Sequence, residues 1–326
     1  MPKLDWSEVV KNHPEANFLQ SPAWGKMNEL VGHKVLLLQE DDVWCQMIVK
    51  NAKRGRYLEI PGGPLLDWQD CAKVQKTFNR IQAIAKQEHC VFVRIRPQLR
   101  YSEENMRILE SNGARIAPMH LHAEHTVMLD LTKSSEELMA DMRRQTRYEV
   151  RRAGKLGLKV TWGNDEALFR EFQSVQAETA MRQHFVPPDL KTLLAEREAF
   201  GANARLYVAK TAEDEPVAYG LILIDGNEAE YFEAASTELN RKMPGSYALL
   251  WQAMQDLQEL KLKRFNLWGI APAGQKNHRY AGVTTFKTGF GGEIVEFVSA
   301  HDIVIKHGRY LLDLLVENIR KKRRKL

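Results

Sequence analysis

The residues of this chain best placed to do chemistry are Lys287 and its neighbours in the run Ala281-Gly282-Val283-Thr284-Thr285-Phe286-Lys287-Thr288-Gly289-Phe290-Gly291-Gly292. An ammonium held between Phe286 and Phe290 can meet an anion or the charge developing on an oxyanion, and rings that exclude water strengthen that interaction. Glycines let backbone approach a ligand because they lack a Cβ and accept positive φ. The same residues also read as a glycine-rich turn before a core strand, with Lys287 in solvent.

A site of this kind can also use a group that accepts a proton. Glu230, Glu233 and Glu293 are candidates by strand position alone, and nothing in the sequence chooses between them. Other groupings carry less. His120 and His122 would share one face of a strand, with His125 nearby, but no fourth ligand follows at a zinc spacing, so no metal is expected. Pro61-Gly62-Gly63-Pro64 resembles a phosphate cradle, yet no helix starts at once after it and no P-loop lysine follows; it reads as a turn. Arg241-Lys242-Met243-Pro244-Gly245-Ser246 precedes a helix as a pyrophosphate loop does, with its second glycine out of register. Cys45, Cys71 and Cys90 are scattered, without a Cys-x-x-Cys pairing, and are expected as buried thiols.

The elements that must position these groups occur twice. Residues 35–42, 43–49 and 56–60 read as three strands joined by polar turns, followed by a helix at about 70–88 and a strand at 90–95. Residues 206–210, 216–224 and 230–234 repeat the meander, followed by a helix at about 247–260 and a strand at 264–267. This order, strand meander, helix, strand, is that of an acetyltransferase-like half. The expected fold class is therefore α/β (α+β), with two tandem acetyltransferase-like halves, mixed and mostly antiparallel sheets with flanking helices, and no coiled-coil insertion.

Between the halves lies a basic helix. Ser134 and Glu137 have capping-box spacing, Leu138 and Met142 give an apolar stripe, and Gly157 marks the stop. Arg143, Arg147, Arg151 and Lys155 recur every four residues and share one face, where like charges repel by roughly 0.2–0.5 kcal/mol per pair. Such a face suits an anion, with a solvated surface partly neutralised by Glu149 as the other reading. A second basic run, Arg320 to Lys325, ends a helix predicted at 308–322, whose Leu311, Leu312, Leu315, Val316 and Ile319 suggest a packed face.

The 326 residues, 44% hydrophobic, allow two cores. No apolar run approaches the roughly 18 residues that span a bilayer, and Met1 to Asp5 do not begin a signal peptide, so a cytoplasmic protein is expected. The net charge of +5 is concentrated in the two basic patches, which attract phosphate backbones or anionic lipid, including the inner membrane surface.

Three stretches in order, Gln20-Ser21-Pro22-Ala23-Trp24-Gly25-Lys26, Arg144 to Ala153, and Gly282-Val283-x-x-Phe286-Lys287-x-x-Phe290-Gly291-Gly292, bracket nearly the whole chain. Together they resemble the Fem family of aminoacyl-tRNA-dependent peptidyltransferases, which build the peptidoglycan cross-bridge. The resemblance implies a first domain of residues 1–127 plus 298–326, on the precursor side, and a second of 128–297, on the aminoacyl donor side. It implies two partners, aminoacyl-tRNA and a peptidoglycan precursor, with no cofactor. Lys287 would face the aminoacyl ester or the tRNA end and Phe286 would shape that pocket. Lys26 would contact the precursor diphosphate with Trp24 in support, Tyr231 would lie beside the peptide channel, and Arg143, Arg147, Arg151 and Lys155 would meet tRNA phosphates.

An aminoacyl ester is already activated, so the enzyme must orient two substrates, stabilise an oxyanion and obtain a neutral amine from a group with a pKa of about 10.4. The chain departs from the pattern at Pro188 and Thr192, where a member using the soluble UDP-linked precursor has an arginine and a tyrosine clamp. Arg182 could compensate, and a lipid-linked precursor gains plausibility. Arg96 stands where that member has an aspartate. Two other functions fit parts of the sequence: an acyl-CoA-dependent N-acyltransferase, and a noncatalytic protein binding RNA or anionic membrane.

Overall fold

The computed structural model describes residues 6, 13–40, 42–52, 55–183, 185–275, 278 and 280–324, with backbone alone at 313 and 318–324. The chain divides into two compact units, one of residues up to Glu124 together with those from Glu296 onward, the other of His125–Val295.

In the first unit, α1 (Pro22–Leu30) leads into β1 (Lys34–Glu40), β2 (Val43–Ala52) and β3 (Gly55–Gly62), then α2 (Cys71–Gln87) and β4 (Phe92–Pro97). The order after it is α3 (Glu103–Ser111) and β5 (Ala114–Ile116), and the C-terminal segment adds β13 (His301–Val304) and α10 (His307–Arg324). The sheet order is β1-β2-β3-β4-β13-β5, so the late strand β13 sits between β4 and β5. Val93 and Ile95 of β4 enter a core with Val74, Phe78 and Ile81 of α2. Arg94 faces the other side. Its Nε and Nη2 each donate to Asp302 of β13 at 2.8 Å, Nη2 also meets Glu317 of α10 at 2.9 Å, and the Tyr310 hydroxyl donates to Asp302 at 3.0 Å. These bonds fasten the C-terminal segment to the sheet.

Three expectations change here. Leu311, Leu312 and Leu315 are exposed, because α10 is held instead through Tyr310 and Leu314 against Phe92 and Tyr57; Ile319 and the run from Arg320 lie outside the described side chains. His120 and His122 lie in an irregular segment, not on a strand face. Cys71 is exposed at the first turn of α2, while Cys45 and Cys90 are buried.

The second unit contains β6 (His125–Asp130), α4 (Ser135–Asp141), α5 (Arg144–Lys155), β7 (Lys159–Gly163), α6 (Glu166–Gln183) and α7 (Leu190–Phe200). Then come β8 (Ala204–Lys210), β9 (Pro216–Asp225), β10 (Glu228–Ser236), α8 (Gly245–Glu259), β11 (Arg264–Gly269), α9 (Ala281–Thr288) and β12 (Glu293–Glu296). The sheet order is β12-β6-β11-β10-β9-β8-β7. The stripe Leu249, Leu250, Ala253, Met254 and Leu257 of α8 packs on Tyr207, Ala218 and Ile222, while Phe169 and Phe172 of α6 and Leu193 of α7 are buried as well. Full burial of one such side chain contributes about 1.5–3 kcal/mol. The repeat read from sequence is present in both units.

The single basic helix is not. The capping box at Ser134 and Glu137 forms, but the chain turns extended at Met142 and a separate α5 begins after Arg143. Tertiary bonds cause the break. The Arg143 amide donates to Gly289 O at 2.8 Å, and Arg147 Nη1 donates to the carbonyls of Ala140, at 2.9 Å, and Met142, which close α4.

Candidate active site

The pairing of β10 with β11 is what opens the sheet. These parallel strands match only at Glu228 with Arg264, Ala229 with Phe265 and Glu230 with Asn266, and then separate. On β10 a bulge at Phe232 sets Tyr231 opposite Ile222 and Glu233 opposite Leu221. Because those β9 residues are successive, Tyr231 and Glu233 face opposite sides of the sheet. On β11 the register against β6 breaks between Asn266 and Gly269, where Trp268 takes φ 62°. The Asn266 side chain holds that bend, accepting from the Trp268 amide at 3.0 Å and from the Thr126 hydroxyl.

Lys287 fills the mouth of this gap. The run expected as a glycine-rich turn is the helix α9, ordered by the hydroxyls of Thr284, Thr285 and Thr288, which donate to carbonyls four residues back. Lys287 is 7% exposed, not solvated. Its Nζ donates to Gly269 O at the end of β11, at 3.0 Å, and lies 5.7 Å from the centre of the Tyr231 ring. Phe286 packs on Tyr247 and Phe290 with ring centres 5.0 and 5.4 Å away, walling one side. The glycines after α9 serve packing and not a ligand. A Cβ at Gly289 would come within 2.4 Å of Thr146 Oγ1, and Gly291 and Gly292, at φ 84° and 82°, lie against the backbones of Asp141 and Met128.

Burial shapes the electrostatics. Desolvation lowers the Lys287 pKa to about 7, against the opposing pull of Glu233. Desolvation raises Glu233 to about 7, moderated by the bond it accepts from Gln176 Nε2 at 2.6 Å and by Lys287. Glu196 of α7 is buried and held neutral by desolvation and by Glu233, and its Oε2 has no partner among the described residues. An ammonium and a carboxylate that both titrate near neutrality thus act on each other's charge from opposite sides of the sheet.

Among the three carboxylates offered by the sequence, the geometry separates roles. Glu230 is buried and kept protonated by desolvation and by Glu228, so it cannot accept a proton at neutral pH. Glu293 is exposed on β12. Of the three, Glu233 is the one whose charge acts on Lys287, and the bulge that sets its side of the sheet leaves no sequence signal.

The remaining site residues are dispersed. Arg143 Nη2 donates to Thr285 O at 3.1 Å, and Arg147 caps α4, so both support the site's framework, while Arg151 and Lys155 are exposed on α5. Arg182 is bound within the second unit, to Glu238 at 3.2 Å, Thr179 at 3.0 Å and the Ser236 carbonyl. In the first unit Lys26 is exposed on α1. Trp24 is buried, its ring 5.2 Å from Phe18 and 6.0 Å from His122, and a Cβ at Gly25 would lie 2.4 Å from Gln46 Oε1.

A family model for the FemAB family matches residues 2–215 and 189–317. The chain belongs to the FemAB family. It is 21% identical over 371 residues to the aminoacyltransferase FemA of Staphylococcus epidermidis, covering 87% of this chain and 88% of the relative. It is 19% identical over 382 residues to FemA of Staphylococcus aureus (strain MRSA252), covering 86% and 91%. A FemX crystal structure superposes with a TM-score of 0.83 at 17% identity, over 94% of this chain and 97% of that one. L-PGS from Bacillus licheniformis superposes with a TM-score of 0.59 at 14% identity, over 97% and 96%. This chain thus shares the fold of that FemX structure, with a strand meander, helix and strand in each unit.

Proposed function

We propose that this FemAB protein is an aminoacyltransferase that moves an amino acid from aminoacyl-tRNA to an amine on a peptidoglycan precursor peptide, with the reaction at the β10–β11 opening. The observation that carries this reading is Lys287, an ammonium buried against Tyr231 where β10 and β11 part. Burying a lysine costs stability, and one carbonyl bond, a ring face and the charge of Glu233 are what the described residues set against it.

The amine attacks the ester carbonyl, and the Lys287 ammonium stabilises the oxyanion that forms. Glu233 accepts the proton that the amine loses as the C–N bond forms. When the C–O bond to the ribose breaks, that proton passes to the departing ribose oxygen, so Glu233 ends as it began. Phe286 and Tyr231 exclude water, which would otherwise hydrolyse the ester.

Arg151 and Lys155 are the tRNA contacts this reading retains from the basic face, and Lys26 with Trp24 would hold the precursor diphosphate. The exposed Leu311, Leu312 and Leu315, beside the basic sequence from Arg320, favour a lipid-linked precursor met at an anionic membrane. An acyl-CoA donor is less well supported: the Ser246 amide at the start of α8 is bound by Asn240 Oδ1 at 3.0 Å, and the Lys242 carbonyl by Arg152 at 2.7 Å. The test is incubation of the full chain with charged total tRNA and purified lipid-linked and UDP-linked precursors, read by mass spectrometry of the precursor. A mass gain of one aminoacyl residue that needs charged tRNA is expected. A gain from acyl-CoA alone, or none from any tRNA, would overturn the reading.

A further inference from the structure

Arg94 and Arg96 are two residues apart on β4 and project from the same face. Arg94 binds Asp302 along one edge of its guanidinium, Nε to Oδ1 and Nη2 to Oδ2, each at 2.8 Å. Arg96 has the same edge without an occupant. It is fully buried, its Nη1 donates to Gln98 at 2.7 Å, and its guanidinium carbon lies 5.5 Å from the Phe297 ring centre. Among the described residues no acceptor meets Nε or Nη2.

No carboxylate among the described residues bonds those two groups. Glu124 acts on Arg96 through its charge, while its Oε1 accepts the Ala300 amide at 3.0 Å. His122 is driven to a pKa of about 3 by burial and by the charges of Arg96, Lys50 and His120, and is therefore neutral. Lys50 adds a further cation, set 3.8 Å from Glu59. Residues 118–123, which carry both histidines, lie outside helices and strands, so a ligand can enter without breaking a strand ladder.

We propose that the Nε/Nη2 edge of Arg96 binds a carboxylate, and that the ligand is the free carboxylate of an acidic acceptor peptide. Two parallel N–H groups in one plane match a carboxylate bidentately. A buried site offering one guanidinium edge suits a monoanion better than a multiply charged phosphate. The identity of the acceptor rests on the proposed function; the carboxylate site rests on the geometry alone.

The test uses the full chain without tRNA. Isothermal titration calorimetry compares an N-acetylated dipeptide with a free carboxylate, its C-terminal amide, and inorganic pyrophosphate. The wild type should bind the acid at least tenfold more tightly than the amide, with a shift of the His122 imidazole resonance on titration. Arg96→Lys should lose at least tenfold in acid affinity, and Arg96→Gln should bind acid and amide alike while melting no lower than wild type. Equal wild-type affinity for acid and amide, no saturable acid binding, or pyrophosphate binding that Arg96→Gln abolishes while acid binding persists would each overturn the proposal. Discrimination without aminoacyl transfer would leave this site standing and remove the proposed function; transfer without discrimination would do the reverse.

Discussion

The two units share one topology and differ where it matters for a ligand. In the first, β3 and β4 pair in parallel from Leu58 with Val93 to Gly62 with Pro97, the full length of the shared edge. In the second, β10 and β11 pair over three residues and part. The first unit is closed off at its strand end by Gln20, whose amide donates to Pro61 O at 2.7 Å and to Gln46 O at 3.1 Å. The second places a bulge at Phe232 and a positive-φ Trp268 at the corresponding end. Two buried cations show the contrast. Arg94 of the first unit meets Asp302 and Glu317, whereas Lys287 of the second meets one carbonyl and the charge of a titratable Glu233. The charge of Arg94 fastens the C-terminal segment, while in the proposed reaction the charge of Lys287 is left for the substrate.

The comparison can be broken most forcefully at the structural pair. Arg94→Met should destabilise the protein by about 3–5 kcal/mol, because Asp302 is left buried and unpaired. Urea unfolding followed by fluorescence measures this, and a loss below about 1 kcal/mol would make the first unit's ion pair as dispensable as a surface one.

Glu233→Gln should slow transfer by about 10²–10⁴-fold. In the wild type, activity needs Glu233 ionised and Lys287 protonated, so the rate should rise with pH as Glu233 ionises and fall as Lys287 deprotonates. Both groups titrate near 7, so the bell is narrow and its limbs belong to the pair. Loss of the acid limb in Glu233→Gln is the expected outcome, read from single-turnover pH profiles. A profile of unchanged shape would assign the proton to another group.

What could be read from sequence was local. Period-two strands, turn residues and the Ser134–Glu137 cap signal themselves within a few residues, so both meanders and their helices were legible. Lys287 was legible as a residue type but not as a buried one. Its helix depends on threonine hydroxyls bonding within a β-branched, glycine-flanked run, and its burial depends on where β10 and β11 part. The break at Met142 has no glycine or proline to announce it, since Arg147 and the Gly289 carbonyl impose it from a distance. The leucines of α10 have the right spacing and the wrong environment.

The smallest effect lies on the basic face. Arg151→Gln with Lys155→Gln should lower the slope of log affinity for tRNA against log salt by roughly 0.7–0.9 for each phosphate no longer neutralised, with the melting temperature unchanged. Arg143→Gln should instead lower the melting temperature, because its guanidinium holds the Thr285 carbonyl beneath α9. Parallel salt slopes in the double variant would return α5 to a solvated face.

Lys287→Met tests the central claim most directly, because it should help the fold and harm the chemistry at once. A lysine whose folded pKa is lowered from 10.5 to about 7 costs stability that is fully felt below pH 7 and fades as pH rises toward 10.5. The methionine variant should therefore melt higher than wild type at pH 6, with the advantage shrinking at alkaline pH. Its single-turnover transfer should fall by about 10²-fold or more, the loss of about 3 kcal/mol of oxyanion stabilisation. A folded Lys287→Met protein that transfers at the wild-type rate would contradict the account.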